Sequence, residues 1–175
     1  MNEQVVLVDK KNHIIGTADK DAVHAQDTPL HRGFSLFLFN SQKELLLTQR
    51  ALAKQTFPGV WTNTVCGHPG PGEPAVLAAK RRLQQELGIN QARIKTITKA
   101  GHYQYRFADQ NGIVENEICP ILVAWADAVP KPQKEEVAGW KWIDWQQFLK
   151  NIDSNPSQYS PWCVEEARIL AKLGY

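Results

Sequence analysis

The stretch GHPGPGEPAVLAAKRRLQQELGI, residues 67–89, decides how the rest of the chain is read. A glycine- and proline-rich lead passes into Pro74–Leu87, where Val76, Ala79, Leu83 and Leu87 recur at steps of three and four. That spacing lays one apolar stripe along a helix, with Lys80, Arg81, Gln84 and Gln85 on its other faces. Pro74 suits the first helical position, and Gly88 suits the left-handed residue that ends a helix. The pattern predicts an amphipathic helix over 74–87.

Outward from this helix the chain reads as strands and turns. Gln4–Val8 and His13–Thr17 are short β-rich runs across a turn at Lys10–His13. Asp19–Arg32 is polar, holds two histidines and Pro29, and is expected to be mostly loop. Gly33–Asn40 and Glu44–Arg50 predict a buried hairpin around Ser41-Gln42-Lys43, and Val60–Cys66 a strand after the break at Phe57-Pro58-Gly59. Ile94–Phe107 and Ile113–Trp125 predict two strands joined by Asp109-Gln110-Asn111-Gly112, an Asn-Gly hairpin signal. On the first of them Tyr103, Tyr105 and Phe107 share one face, with Gln104 and Arg106 on the other. Val137–Ile143 is a later strand before a short helical turn at Asp144–Leu149. Ser160 as N-cap, Pro161 at the first position and Gly174 as the stop bracket a final helix through Leu173. Hairpins with two clear helices predict an α+β or mixed α/β fold, helices packed on a sheet.

The 175 residues fit one domain, and a chain of this length buries about two-thirds of its unfolded surface. Hydrophobic residues at 43% and charged residues at 22% exclude a disordered chain, a collagen-like fibre and a coiled coil. Twenty basic residues against 18 acidic ones give no basic excess of the kind a nucleic-acid binder carries. Any anion site must therefore be built from a few placed cations. Three cysteines without a CxxC pair argue against a disulfide scaffold or zinc finger. Met1-Asn2-Glu3-Gln4 lacks the basic start of a signal peptide, and no apolar run is long enough to cross a membrane. The expectation is a cytoplasmic protein with neither membrane nor nucleic-acid partner.

Three groups of residues offer chemistry. On a strand, Glu115 and Glu117 project from the same face, so they are either an exposed edge pair or a metal and acid–base site needing compensating charge. His24, His31 and His68 have no i,i+4 spacing on a predicted helix. Together with the two carboxylates they would make a five-ligand set for a transition metal, although a lone histidine is usually a half-exposed polar residue. His13 and His102 have nothing further to recommend them. Cys66 is either a small buried hydrophobe or an acid–base thiol, whereas Cys119 and Cys163 read as packing residues.

Residues 67–89 also match the spacing of the Nudix signature, a series of glycine, glutamate, arginine and aliphatic positions. Gly67, Glu73, Arg81, Leu83, Glu86, Gly88 and Ile89 are in register, but Arg82 and Gln85 stand where the signature has glutamates. Those substitutions should cripple diphosphate hydrolysis and leave a diphosphate-binding scaffold, in which Glu86 could still hold one Mg²⁺. Thr62 through Pro69, Glu115 through Pro120, and Ser160-Pro161-Trp162 complete a set that resembles the type 1 isopentenyl-diphosphate Δ-isomerases over almost the whole chain.

That resemblance implies a Nudix-like α/β/α sandwich with a mixed sheet. It implies a single domain, 1–175, with a core over 30–164 and residues 1–29 as an extension carrying one metal ligand. The activity implied is the isomerisation of isopentenyl diphosphate to dimethylallyl diphosphate in isoprenoid biosynthesis. It implies that His24, His31, His68, Glu115 and Glu117 bind Mn²⁺ or Zn²⁺, with no flavin. Cys66 and Glu115 would transfer the protons, Glu117 and Tyr105 would support the centre, and Trp162 would cover the hydrocarbon. Mg²⁺ would bridge the substrate diphosphate, Glu86 and the Cys66 carbonyl, with Lys20, Arg50, Lys54 and Arg82 around the diphosphate. A cation on a tertiary carbon needs a π-face and a nearby negative charge, which Trp162 and the glutamates can offer. Runner-up readings are a Nudix pyrophosphohydrolase, disfavoured by Arg82 and Gln85, and a catalytically dead diphosphate-binding module, disfavoured by Cys66, Glu115 and Glu117. The oligomeric state is left open.

Overall fold

The computed structural model describes residues 3–94 and 96–175. Met1 and Asn2, at the start of the expected extension, and Lys95, within the expected Ile94–Phe107 run, lie outside them. Among the described residues, ten strands form one mixed sheet with helices on both faces.

Two strands make the centre. β4 (Phe34–Phe39) is buried at every position, and it runs parallel to β9 (Val114–Trp125) with Ser35 opposite Ile121 and Phe39 opposite Trp125. Alternation divides β4 between two cores. Phe34, Leu36 and Leu38 face α2 (Ala75–Leu87), which contributes Ala78, Ala79, Leu83 and Leu87. Phe37 and Phe39 face α3 (Trp145–Ser154) and α4 (Pro161–Lys172), an aromatic core holding Trp145, Phe148, Tyr159 and Trp162. Leu83 and Leu87 are fully buried, each a gain of about 1.5–3 kcal/mol. The remaining strands are β1 (Gln4–Val8), β2 (Ile14–Asp19), β3 (His31–Arg32), β5 (Glu44–Arg50), β6 (Trp61–Thr62), β7 (Val65–Gly67), β8 (Ile97–Ala108) and β10 (Val137–Asp144). Their order is β10-β5-β4-β9-β3-β1-β2, with β6 on β5, β7 on β4 and β8 on β9.

Several local expectations hold. α2 ends at Gly88 (φ 61°), and the Ile89 N–H donates to the Leu83 carbonyl, the bond that closes a left-handed helix stop. Others need correction. Pro74 is the N-cap of α2, not its first residue. The predicted loop over 19–32 holds a short helix, α1 (Lys20–Val23), and β3. The predicted 33–50 hairpin is joined only at its base, Phe39 opposite Leu45, after which β4 and β5 diverge. Buried threonines fill that wedge: Thr64 Oγ1 accepts from Leu38 N (2.8 Å) and donates to the Leu46 carbonyl (2.7 Å). The single strand expected over 60–66 is consequently two, β6 on β5 and β7 on β4, broken at Asn63 and Thr64. Asp144–Leu149 opens a full helix of ten residues. Ser160 precedes α4, but its hydroxyl pairs with that of Thr62 (2.7 Å) and does not cap.

Candidate active site and metal centre

β9 carries the site because its odd-numbered side chains face the aromatic core. Cys119, Ile121 and Val123 belong to that core, and Glu115 and Glu117 extend the same row. β9 is interior to the sheet, so the exposed-edge alternative falls: the two glutamates are 6% and 5% exposed. β8 pairs Tyr105 with Glu117 and Phe107 with Glu115. The predicted face is present, with Tyr105 stacked between Tyr103 (5.7 Å) and Phe107 (5.5 Å).

The histidines arrive from three directions. β3 sets His31 beside Glu117 in parallel register. His24 ends α1, and its loop is tied to β9 through Val114 N to Ala25 O (2.8 Å) and Asn116 Nδ2 to Thr28 O (2.9 Å). His68 follows β7. The ring centroids lie 4.9–5.3 Å apart. One donor atom from each of His24, His31, His68, Glu115 and Glu117 lies within 4.8 Å of every other.

Hydrogen bonding orients this set. His31 Nδ1 lies 2.9 Å from the Pro29 carbonyl and His24 Nδ1 3.4 Å from the Lys20 carbonyl. With Nδ1–H donated outward, each Nε2 lone pair faces the centre, the orientation a metal ligand needs. His24 Nε2 is 3.1 Å from Glu115 Oε2, and His68 Nε2 is 2.8 Å from Glu117 Oε1. His31 Nε2 is buried without a hydrogen-bond partner, 3.6 Å from Glu117 Oε1. An orphaned nitrogen among imidazoles and two carboxylates fits a divalent cation. Burial opposes charge on Glu117, but His68 and His31 overcome it and hold the carboxyl well below the usual carboxylate range. Burial holds His68 below the ordinary imidazole value. On His31 the Glu117 carboxylate overcomes burial and raises the value.

A cavity of about 280 Å³ opens beside this cluster, lined by Cys66, Tyr105, Trp162, Glu115 and Glu117 together with Lys20, Arg50, Lys54 and Arg82. Cys66 Sγ contacts Asn63 Oδ1 (3.0 Å) as donor and receives the Trp162 indole N–H (3.3 Å). Burial pushes the thiol up to about 12, opposed by Arg50, Asn63 and Trp162. Trp162, 1% exposed, stacks on Tyr105 at 5.8 Å and meets Phe57 edge-on at 5.0 Å. Arg50 lies over the same indole at 5.6 Å and donates to the carbonyls of Thr56 and Phe57. Glu86 is not on the cavity wall: it is buried behind Arg82, whose Nε donates to Glu86 Oε1 at 2.8 Å. Arg82 Nη2 also reaches Glu136 Oε2 (3.0 Å), an oxygen shared with Lys54.

Some residues of the site carry no signal in the sequence. Gly33 is required because a Cβ there would come within 1.8 Å of Glu117 Oε2 and 2.7 Å of Cys119 Sγ. Thr56 donates to Glu115 Oε1; Tyr105 and Cys119 both donate to Glu117 Oε2, at 3.0 Å. Cys119 is thus a packing residue that also touches the centre, whereas Cys163 is buried in the aromatic core and His13 and His102 lie outside the site. Asn63 could have been singled out, since it sits within the quoted Thr62–Pro69 segment. Glu136 could not, being one charge in a polar run.

The fold and this donor set define the class. The NUDIX domain model matches residues 29–163, and a Deinococcus radiodurans structure superposes with a TM-score of 0.76 at 20% identity, over 95% of this chain and 98% of that one. A MutT protein from Methanosarcina mazei Go1 gives a TM-score of 0.66 at 17% identity, over 84% of this chain and 97% of that one. The chain is a Nudix-domain protein. Relatives named isopentenyl-diphosphate Delta-isomerase are 46% identical in Saccharopolyspora erythraea (98% of this chain, 88% of the relative) and 48% identical in Paenarthrobacter aurescens (91% and 86%). One from Salmonella heidelberg is 43% identical over 94% of this chain and 90% of its own. Within the Nudix class, the chain belongs to the isopentenyl-diphosphate Delta-isomerase family.

Proposed function

We propose that the chain converts isopentenyl diphosphate to dimethylallyl diphosphate by a 1,3-allylic proton shift, with Cys66 and Glu115 as the two proton carriers. A proton added to the terminal alkene carbon leaves a tertiary cation, and removal of a proton from the neighbouring methylene forms the new double bond. No atom other than hydrogen is exchanged, and the diphosphate stays attached. The observation that carries this reading is the joint presence of one thiol, one carboxylate and an indole in a single small cavity. The indole face of Trp162 and the carboxylates of Glu115 and Glu117 offset the positive charge as it develops, without reorganisation. Tyr105 and Cys119 hold Glu117, and Thr56 holds Glu115, so neither carboxylate swings away from the reacting carbons.

His24, His31, His68, Glu115 and Glu117 would hold one transition ion, Mn²⁺ or Zn²⁺ by donor type, which when bound supplies positive charge that keeps the two carboxylates ionised side by side. Lys20, Arg50, Lys54 and Arg82 would receive the diphosphate. Glu86 and the Cys66 carbonyl would hold Mg²⁺ beside it once Glu86 is freed from Arg82. In this reading residues 30–164 are the catalytic core, and residues 1–29 are the extension that delivers His24. Among the described residues no helix is long and apolar enough to cross a membrane, and a cytoplasmic setting suits an enzyme that depends on a free thiol.

Proton NMR of isopentenyl diphosphate with enzyme and Mg²⁺ in D₂O tests the reading. Deuterium should enter the newly formed methyl of dimethylallyl diphosphate, and Cys66→Ala and Glu115→Gln should each reduce turnover by orders of magnitude. Release of phosphate or pyrophosphate without an allylic product would establish a hydrolase instead.

A further inference from the structure

Among the described residues, Glu166 is the one buried carboxyl near the cavity that the reaction above does not use. It lies on α4 one turn after Trp162, so both side chains leave the helix toward the site. The residue is 0% exposed, and neither carboxyl oxygen has a hydrogen-bond partner. Burial drives its pKa well above the carboxylate range; Glu117 adds to this, and only the nearby Ser35 hydroxyl opposes it. No cation is among the groups that act on it, and burial favours its neutral form. A buried polar group without a partner destabilises the fold, and one beside an active site calls for a functional reason.

Ser35 connects Glu166 to the chemistry. It is the cross-strand partner of Cys66, with Oγ 3.8 Å from Sγ. The other two polar neighbours of that sulfur are fixed. The Asn63 amide donates to the Leu36 and Val65 carbonyls (both 3.1 Å), and Trp162 is clamped between Tyr105 and Phe57. The Ser35 hydroxyl, by contrast, is a rotor.

We propose that Glu166 is a positioning residue for the Cys66 thiol, acting through the Ser35 hydroxyl. While the sulfur carries its proton, S–H is given to Asn63 Oδ1 and Ser35 Oγ donates its own hydrogen to the Glu166 carbonyl oxygen. When the sulfur gives its proton up, Ser35 turns to donate to the sulfur and accepts from the Glu166 O–H. No proton leaves Ser35 or Glu166; only the direction of donation changes. A neutral carboxyl can serve both states because it is donor and acceptor at once. The inference rests on Cys66 being a proton carrier.

Four variants assayed with isopentenyl diphosphate and Mg²⁺ test it: Glu166→Gln, Glu166→Met, Ser35→Ala and Ser35→Ala/Glu166→Met. Glutamine keeps a donor and an acceptor, so Glu166→Gln should stay within about threefold of wild-type kcat, less than one lost hydrogen bond. Methionine has neither, so Glu166→Met should lose about tenfold in kcat with KM unchanged, the scale of one hydrogen bond. Its Tm should rise, because an apolar side chain of similar volume replaces an unpartnered carboxyl. Ser35→Ala, which leaves α4 untouched, should reproduce the kcat loss, and the double variant should lose no more than either single one. Wild-type kcat in Glu166→Met, equal losses in the Gln and Met variants, or losses that multiply in the double variant would each overturn the proposal. Failure of the isomerase reading looks different: wild type itself would incorporate no deuterium.

Discussion

At the sheet end of the cavity, Glu115 and Glu117 are met by imidazoles, hydroxyls and a thiol, and among the described residues no lysine or arginine pairs with them. At the α2 end charges of opposite sign meet: Arg82 is paired with Glu86 and Glu136, and Lys54 with Glu136. Two regions a few residues apart along one wall therefore pose opposite problems. The first has excess negative charge and an orphaned His31 nitrogen, a set that fits a cation. The second is neutral within itself, so a diphosphate received there as proposed would have to displace carboxylates from the guanidinium and ammonium groups. Where the Nudix signature has glutamates this helix carries Arg82 and Gln85, and the proposed role of that end shifts accordingly from holding cations to receiving anions.

The sharpest way to break this contrast is to empty the sheet end. His24→Ala/His31→Ala/His68→Ala should abolish both retained metal and turnover, while far-ultraviolet circular dichroism stays that of a folded protein. Full metal occupancy in the triple variant, by elemental analysis after gel filtration, would mean the five donors are not the site.

A smaller loss should follow from Gly33→Ala. The added methyl cannot coexist with Glu117 Oε2 at 1.8 Å, so the carboxylate must shift by about an ångström. A displacement of that size costs about a hundredfold in rate. Glu117→Gln in the same background should add little, and a Gly33→Ala enzyme with normal kcat would show that Glu117 need not stand where it does.

At the α2 end the expected effect is smaller and of opposite sign. Glu136→Gln releases Lys54 and Arg82 from an internal competitor, so KM for the diphosphate should fall by about threefold, the scale of a partly exposed ion pair, with kcat little changed. The pH dependence of unfolding sharpens the point. Burial tends to raise the Glu136 pKa, but Lys54 and Arg82 hold it below its ordinary value of 4.5. The stabilisation is therefore fully present above pH 4.5 and lost as pH falls through the lower folded value. The Tm difference between wild type and Glu136→Gln should shrink across that acid window. An unchanged difference would separate Glu136 from the ion pairs.

Much of this was legible along the chain, for reasons that differ by residue. The stop at Gly88 and the stripe of α2 depend on neighbours within one or two turns, and they were read closely apart from the exact place of Pro74. Glu115 and Glu117 share a face because a strand repeats every two residues, whatever lies around it. The divergence of β4 from β5 was not readable, because two apolar runs across a short turn look the same whether they pair or splay. The three helical turns after Trp145 were cut short in the sequence reading because polar residues fill the exposed face of α3. Gly33 and Glu166 were passed over: one matters for what it leaves empty, the other for a partner it lacks.

The amino-acid order by itself determined the donor types, the signature helix with its two missing glutamates, and the facing of each strand residue, since all of these follow from local periodicity and side-chain chemistry. Tertiary structure decided what those residues do to one another. It brought His24 to Glu115 across 91 positions and set Glu86 behind Arg82. It also left the carboxyl of Glu166 without a partner above Ser35. Strand pairing and burial set those relations: register places distant side chains within hydrogen-bond reach, and exclusion of water turns their pairings, or the lack of them, into chemistry.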